Sequence, residues 1–362
     1  MLDSYPPIPI SPLAFSGMTF RLRYPKILTD ILASELFDAA ITERLERLKE
    51  NLDSLIILRI HQGRPFWDDF YHAHEGKSIL ELPFFDAEVY LFAYILYLVD
   101  YERLGVDPFG KIKATDLHKH RAALAPCLKA TQNWQSTDYL LQSLQGNKSD
   151  LSQLKSAEEL NLKLLLDDRQ HLIHDFEAAT HVDIILDNAG MELFSDLLLV
   201  NHLVDHYGHI VKLHLKAAPI FVSDVIYEDI GHLLDTLLEN GAGTFAQSLQ
   251  TKIDKQQIIL QFHPFWTSPT HYDQLPDGLI TPHALLLAKG DANYRRFFQD
   301  RMIPSTQPSA ALCSYLTHPT YCIRTLKSDI QTGLAQEQVT ALNQTAPDWK
   351  VNGNHAVIQM LH

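Results

Sequence analysis

Apolar positions along this chain change their spacing near its middle. Through the first part they recur every three or four residues, the period of one helix face. "PKILTDILASELFDAAITERLERLKENL" shows that spacing after Pro25, a residue suited to the first turn of a helix. "FFDAEVYLFAYILYLVDYERL" predicts a second, more deeply buried helix, and "KATDLHKHRAALAPCLKATQNW" and "STDYLLQSLQ" continue the pattern. "AEELNLKLLLDDRQHLIHDFEAA" reads as one or two further helices, with no strand before residue 146. After residue 180 the texture changes. "VDIILDN", "IVKLHLK", "QIILQFHPF", "HALLLAKGD", "TYCIRTLKSD" and "HAVIQML" are compact apolar runs that predict buried strands. Helical stretches lie between them: from Glu192 to about His206, "DIGHLLDTLLENG" closed by Gly241, "NYRRFFQD", and "LAQEQVTALNQ".

Strands alternating with helices imply a largely parallel, Rossmann-like α/β sheet with helices on both faces. The expected division is an N-terminal helical domain, 1–178, and an α/β domain, 179–362, with the limit between 150 and 180. The helical part would then cap the rim of the sheet. A length of 362 residues suits two domains. No internal repeat or low-complexity segment appears.

Charge narrows the partners. The formal net charge is −14, which argues against nucleic acid and anionic membrane, both of which favour a basic face. A small anionic substrate stays compatible, because a local site can be positive on a negative protein. The longest apolar run, "VYLFAYILYLV" at 89–99, falls short of the roughly 20 residues a bilayer span needs. Cys127, Cys313 and Cys322 lack C-x-x-C spacing and read as reduced thiols. The N-terminal "MLDSYPPIPISPLAF" has no signal-peptide pattern, so a cytoplasmic protein is expected. The oligomeric state is left open.

Some motifs are decoys. "GVDPFGKI" nearly spells a phosphate loop, and "NKSD" at 147–150 matches a guanine-reading motif. That loop needs a preceding strand and a hydroxyl residue after its lysine; here a helix precedes and Ile112 follows Lys111. His202 and His206 stand four apart on one predicted helix, yet no H-E-x-x-H surrounds them. A dinucleotide fold would place several glycines after the first strand, and "DNAGME" offers one.

Ligands of parallel sheets bind beyond the carboxyl ends of the strands. There this sequence places Asp187 and Asn188, then Ser223 and Asp224, then Gly290, Asp291, Ala292 and Asn293, then Arg324 and Lys327. Asp187, Asn188 and Asp224 offer the hard oxygens that suit Mg²⁺ or Mn²⁺. Glu192, four residues after Asn188, faces the same rim and could orient a water. Arg295, Arg324 and Lys327 are cations fit to hold a phosphate. Metal, phosphate clamp and spare carboxylate form a layout for phosphoryl transfer to water. Each piece alone also suits a helix cap; their gathering at one edge is what points to chemistry. On a regular strand Arg324 and Lys327 point to opposite faces, so Lys327 is expected on the phosphoryl group and Arg324 as a brace.

"ILDNAGMELFSDLLL", "VSDV", "FWTSP", "KGDANYRR" and "IRTLK" together resemble the damage-control phosphatases, formerly domain of unknown function eighty-nine. The third subfamily, with its R-T-x-K motif, is the nearest in pattern: Arg324, Thr325, Leu326, Lys327. Fainter likenesses run through "RYPKIL", "AEVYLFAYIL", "DPF" and "GNKSDLS". Ala292 stands where the family usually has leucine, Arg296 where it has lysine, and "RYP" where it has R-W-P. The resemblance implies a divalent-metal-dependent phosphatase of small phosphorylated metabolites, such as fructose 1-phosphate and fructose 6-phosphate. Mn²⁺ or Mg²⁺ would be the cofactor, with Co²⁺ or Ni²⁺ as further candidates. It implies Asp187, Asn188 and Asp224 as metal ligands, and Asp291, Asn293, Arg295 and Lys327 as substrate contacts. Glu192 would line the site. The same subfamily has been described as an S-adenosylmethionine-dependent protein-glutamate O-methyltransferase, the alternative activity.

Overall fold

The computed structural model describes residues 2–61, 64–146 and 162–362. Seven strands form one sheet: β1 (Lys163–Asp167), β2 (His181–Ile185), β3 (Ile210–Lys216), β4 (Ile258–His263), β5 (Leu285–Lys289), β6 (Thr320–Thr325) and β7 (His355–Met360). Their order is β1-β7-β6-β5-β2-β3-β4. β2 to β6 run parallel, β7 is antiparallel to β6, and β1 is parallel to β7.

Period-two side chains explain the two covered faces. Val182, Ile184, Leu285, Leu287, Tyr321 and Ile323 enter one apolar core, shared with the helix Met191–Tyr207. Ile185, Leu286, Ala288 and Cys322 enter another on the opposite face. One polar side chain is tolerated inside β2 because it is paired: Asp183 accepts from His214 at 3.0 Å and from the Thr281 amide at 2.8 Å.

Three expectations are corrected. "LKLLLDD" is not helical but is the strand β1, at the sheet edge, and the helix Arg169–Ala178 follows it. A short apolar run cannot be told from a buried helix by spacing alone. β1 begins at Lys163, inside the expected 150–180 interval. The first long helical stretch is two helices, Tyr24–Leu32 and Ala39–Glu50, separated by Glu35 at φ 54° and capped at Asp38, which accepts from the Ile41 amide at 2.9 Å. The helix Gly243–Asp254 went unread behind the turn at Gly241. The "NKSD" motif lies outside the described residues.

The helical part packs as two groups. Residues between Phe20 and Phe109 build a core of their own around the helix Phe84–Leu98. The helices Gly110–His120, Leu124–Ala130 and Ser136–Gly146 send Leu117, Leu124, Cys127, Leu140 and Leu144 into the core of the sheet. Lys111 of the phosphate-loop look-alike donates to the Ser34 carbonyl, and a short helix, Tyr101–Leu104, stands before it.

Candidate functional site

The chain leaves β2 and β5, neighbours in the sheet, toward opposite sides. β2 leads to β3 and β4; β5 leads to β6. Such a reversal opens a crevice beyond the strand ends. Asp187 and Asn188 sit there after β2, Gly290 and Asp291 after β5.

The loop after β3 is tied to this point by backbone. Asn188 and Asp224 form an isolated antiparallel bridge, with Ala189 N donating to Ser223 O at 2.7 Å and Val225 N to Asp187 O at 3.0 Å. Asp224 holds its own turn by accepting from the Phe221 amide at 2.9 Å. Lys113, from the helix Gly110–His120, donates to the Asp224 carbonyl at 2.6 Å and pairs with Asp229 at 2.8 Å and Asp107 at 2.9 Å. Gly190, at φ 71°, turns the chain at once into the helix Met191–Tyr207. Glu192 comes one residue into that helix. The Asn188 amide nitrogen donates to Asp187 at 2.9 Å and to Glu192 at 2.7 Å. Gly290 must be glycine: its φ is 79°, and a Cβ would lie 1.7 Å from the Asp187 carboxylate.

This side of the crevice carries excess negative charge. Burial pushes Asp187 well above the ordinary carboxyl range, and Glu192 and Asp224 push it further. Burial raises Asp224 to about 6, against Lys216. Burial raises Glu192 to about 7, opposed by Lys289 and reinforced by Asp196. Lys289 itself is held 3.0 Å from Asp196 and donates to Ser143.

The other side is closed by pairing. Asp291 accepts from the Arg324 guanidinium, and from the Lys327 amide at 3.2 Å. Arg324 is fully buried, donates to Ile330 O at 2.5 Å and Gln331 at 2.8 Å, and lies 3.6 Å over the Tyr294 ring. Lys327, past the end of β6, is exposed.

One cavity of about 340 Å³ is lined by Asp187, Asn188, Glu192, Asp224, Asp291, Arg295 and Lys327. Asn293, an expected substrate contact, is not among its walls. It lies roughly 200° round the helix from Asp291 and is 1% exposed. Its carbonyl accepts from Tyr272 at 2.5 Å, and its nitrogen donates to Lys289 O at 2.7 Å. Arg295 reaches the wall, but its guanidinium is taken by Glu88 at 2.5 Å and Asp300 at 2.8 Å. The helical part adds Phe15, Arg23, Glu88, Phe92, Lys113 and Asp116, which the sequence reading missed. Glu88 had a signal, as a buried acid that opens the long apolar run of the helix Phe84–Leu98. The histidine pair stays structural: His202 stacks on Tyr139 at 4.2 Å and bonds Ser136 at 2.9 Å.

Among the described residues no three His, Cys, Asp or Glu side chains form a ready-made metal cage. Asp187, Asn188 and Asp224 supply a different set, two carboxylates and an amide oxygen. Hard oxygens with surplus buried charge suit a hard divalent cation.

An α/β protein with an acidic crevice at its strand reversal is the class defined so far. The chain matches the damage-control phosphatase ARMT1-like domain over residues 19–342 and belongs to that family. It is similar to damage-control phosphatase ARMT1 of Danio rerio, 32% identical over 61% of this chain and 54% of that protein. The ARMT1 proteins of Mus musculus and Homo sapiens are 32% and 27% identical, each over 96% of both chains. The Danio rerio and Xenopus laevis matches thus span 54% and 62% of those relatives' length. The crystal structure of a DUF89 family protein from Pyrococcus horikoshii shares the fold, with a TM-score of 0.51 over 97% of this chain and 99% of that one, at 16% identity. The ARMT1 relatives carry the name phosphatase, and nothing in these names favours the methyltransferase alternative. No helix among the described residues is long and apolar enough to cross a membrane.

Proposed function

We propose that this chain hydrolyses phosphate monoesters of small metabolites with the help of a divalent cation, and that hexose phosphates such as fructose 1-phosphate and fructose 6-phosphate are among its substrates. The observation that carries the reading is the trio Asp187, Asn188 and Asp224. They are locked together by a backbone bridge at the strand reversal, and burial holds both acids above the ordinary carboxyl range.

Asp187, Asn188 and Asp224 would hold Mg²⁺ or Mn²⁺, with Co²⁺ or Ni²⁺ as alternatives. When bound, such a cation supplies Lewis-acid polarisation of a phosphoryl oxygen and lowers the pKa of water. Asn188 spends its two N–H bonds on Asp187 and Glu192, which leaves its carbonyl oxygen as the ligand atom. Lys327 stands at the mouth, its backbone pinned to Asp291, where its ammonium meets the phosphoryl oxygens. Arg324 holds Asp291 from below, so it positions Lys327 through that carboxylate. Arg295 orders the wall between Glu88 and Asp300 and does not contact phosphate. Three buried thiols without a disulfide accord with a cytoplasmic setting.

The test is release of inorganic phosphate from a panel of sugar phosphates with each of the four metals in turn. Turnover that persists in full after chelation would sink the metal assignment. No release from any ester would sink the phosphatase.

A further inference from the structure

Four cations reach the cavity wall: Arg23, Lys113, Arg295 and Lys327. Two of them are neutralised on the spot. Arg295 lies between Glu88 and Asp300, and Lys113 between Asp107 and Asp229. Lys327 belongs to the strand-end side. Arg23 comes from the helical side, and among the described residues its guanidinium has no hydrogen-bond or ion-pair partner. In a chain of net charge −14, an arginine without a carboxylate beside an acidic cavity is out of keeping with the rest.

The backbone that presents it is fixed. Thr19–Arg23 is a π-helical turn, in which the Tyr24 amide bonds the Thr19 carbonyl five residues back. Such single wide turns recur at functional sites, because they rotate the following residues relative to the preceding ones. Here the turn sends both flanking aromatics inward. Phe20 and Tyr24 are each 1% exposed, and their rings meet edge to face at 4.8 Å. Arg23, between them, is left exposed at the cavity.

We infer that Arg23 grips the phosphoryl group of the substrate from the helical wall, across the cavity from Lys327. The inference rests on the phosphatase reading and adds to it: the helical part then supplies half of the phosphate clamp. A guanidinium suits this task because its planar fork presents two parallel donors to phosphate oxygens.

The test uses the full chain with Mg²⁺, fructose 1-phosphate as substrate and orthophosphate as product inhibitor, in wild type, Arg23→Gln and Arg23→Lys. KM and the inhibition constant for orthophosphate should rise together by about tenfold or more in Arg23→Gln, the usual effect of losing bonds to a charged group. The loss in kcat should be smaller, and Arg23→Lys should fall in between. The melting temperature should not move, since the side chain is exposed. A raised KM with unchanged phosphate inhibition would put Arg23 on the organic part of the substrate and overturn the assignment. Calorimetry of orthophosphate binding makes the comparison independent of turnover. Equal affinities in wild type and Arg23→Gln overturn the inference even where wild type hydrolyses nothing and the phosphatase reading itself has failed.

Discussion

The two sides of the crevice are built on the same plan and charged in opposite ways. After β2 and β3 the strand ends deliver Asp187, Asp224 and Glu192, all buried and all pushed up in pKa by burial, with neighbouring acids adding to the push on Asp187 and Glu192. After β5 and β6 they deliver Asp291, Arg295 and Arg324, each already paired. Buried charge without a partner is expensive, and a fold keeps it only where something else answers it. The contrast teaches where an added cation belongs and where the frame has been finished by the chain itself.

Removing the charge that awaits a cation should have the largest effect. Asp187→Asn and Asp224→Asn are expected to lower phosphate release by more than about a hundredfold, since even outer partners of metal ligands cost 10–100-fold. In chelated protein the same variants should melt at or above the wild-type temperature, because a repelling buried charge is gone. A variant that loses both activity and stability without metal would erase the contrast. Gly290→Ala attacks the same seat from the other strand. Its Cβ would overlap the Asp187 carboxylate, so both melting temperature and metal affinity by calorimetry should drop.

Lys327→Ala comes next. Loss of a donor to the transition state typically costs on the order of a hundredfold in turnover, and the exposed side chain should leave melting unchanged. Arg324→Ala should do the reverse in proportion. It strips Asp291 of its buried partner, a kind of change that costs about 3–5 kcal/mol, and activity should fall as a consequence of lost order. Unaltered melting of Arg324→Ala would mean that this side is not held by its pairs.

Glu192 gives the contrast a pH signature in the chelated protein. Its folded pKa, about 7, lies above its unfolded value of about 4.3. The folded state therefore takes up a proton first, and the penalty for the buried charge is present above pH 7 and relieved as pH falls. Glu192→Gln should melt above wild type at pH 8, and the difference should shrink as pH falls below 7 and close only below about pH 4, under the unfolded value. A difference that grows toward acid would reverse the sign.

Much of this was legible in the residues. Strand runs such as "VDIILDN" end in oxygen donors, and a parallel sheet gathers the carboxyl ends of its strands at one rim. What escaped was set by tertiary contact. β1 hid in an apolar run with no period to read. Arg295 looked like a free cation until Glu88, some two hundred residues away, closed on it. Lys113 and Asp116 reach the cavity only through packing of the helical part, for which spacing along the chain holds no signal, and Arg23 was marked only by the faint likeness of "RYPKIL".

The smallest effect concerns Asn293, which sequence position placed in the site and which the fold turns inward. Its amide joins the two sides: it donates to Lys289 O at 2.7 Å and Leu186 O at 3.4 Å, and it accepts from Tyr272 at 2.5 Å. Leu186 directly precedes Asp187, so Asn293 ties the finished side to the charged one. Asn293→Ala removes one hydrogen bond from the Tyr272 hydroxyl and one from the Lys289 carbonyl in the interior, at a cost of about 1–3 kcal/mol. Melting temperature should fall accordingly. KM for the sugar phosphate should stay within about threefold, because no bond to substrate is lost, whereas loss of a bond to a charged phosphate would cost about tenfold. Steady-state kinetics paired with a melting curve separates the two. A KM raised tenfold with unchanged melting would return Asn293 to the substrate, and the helix after β5 would then have to turn by roughly half a revolution when substrate binds.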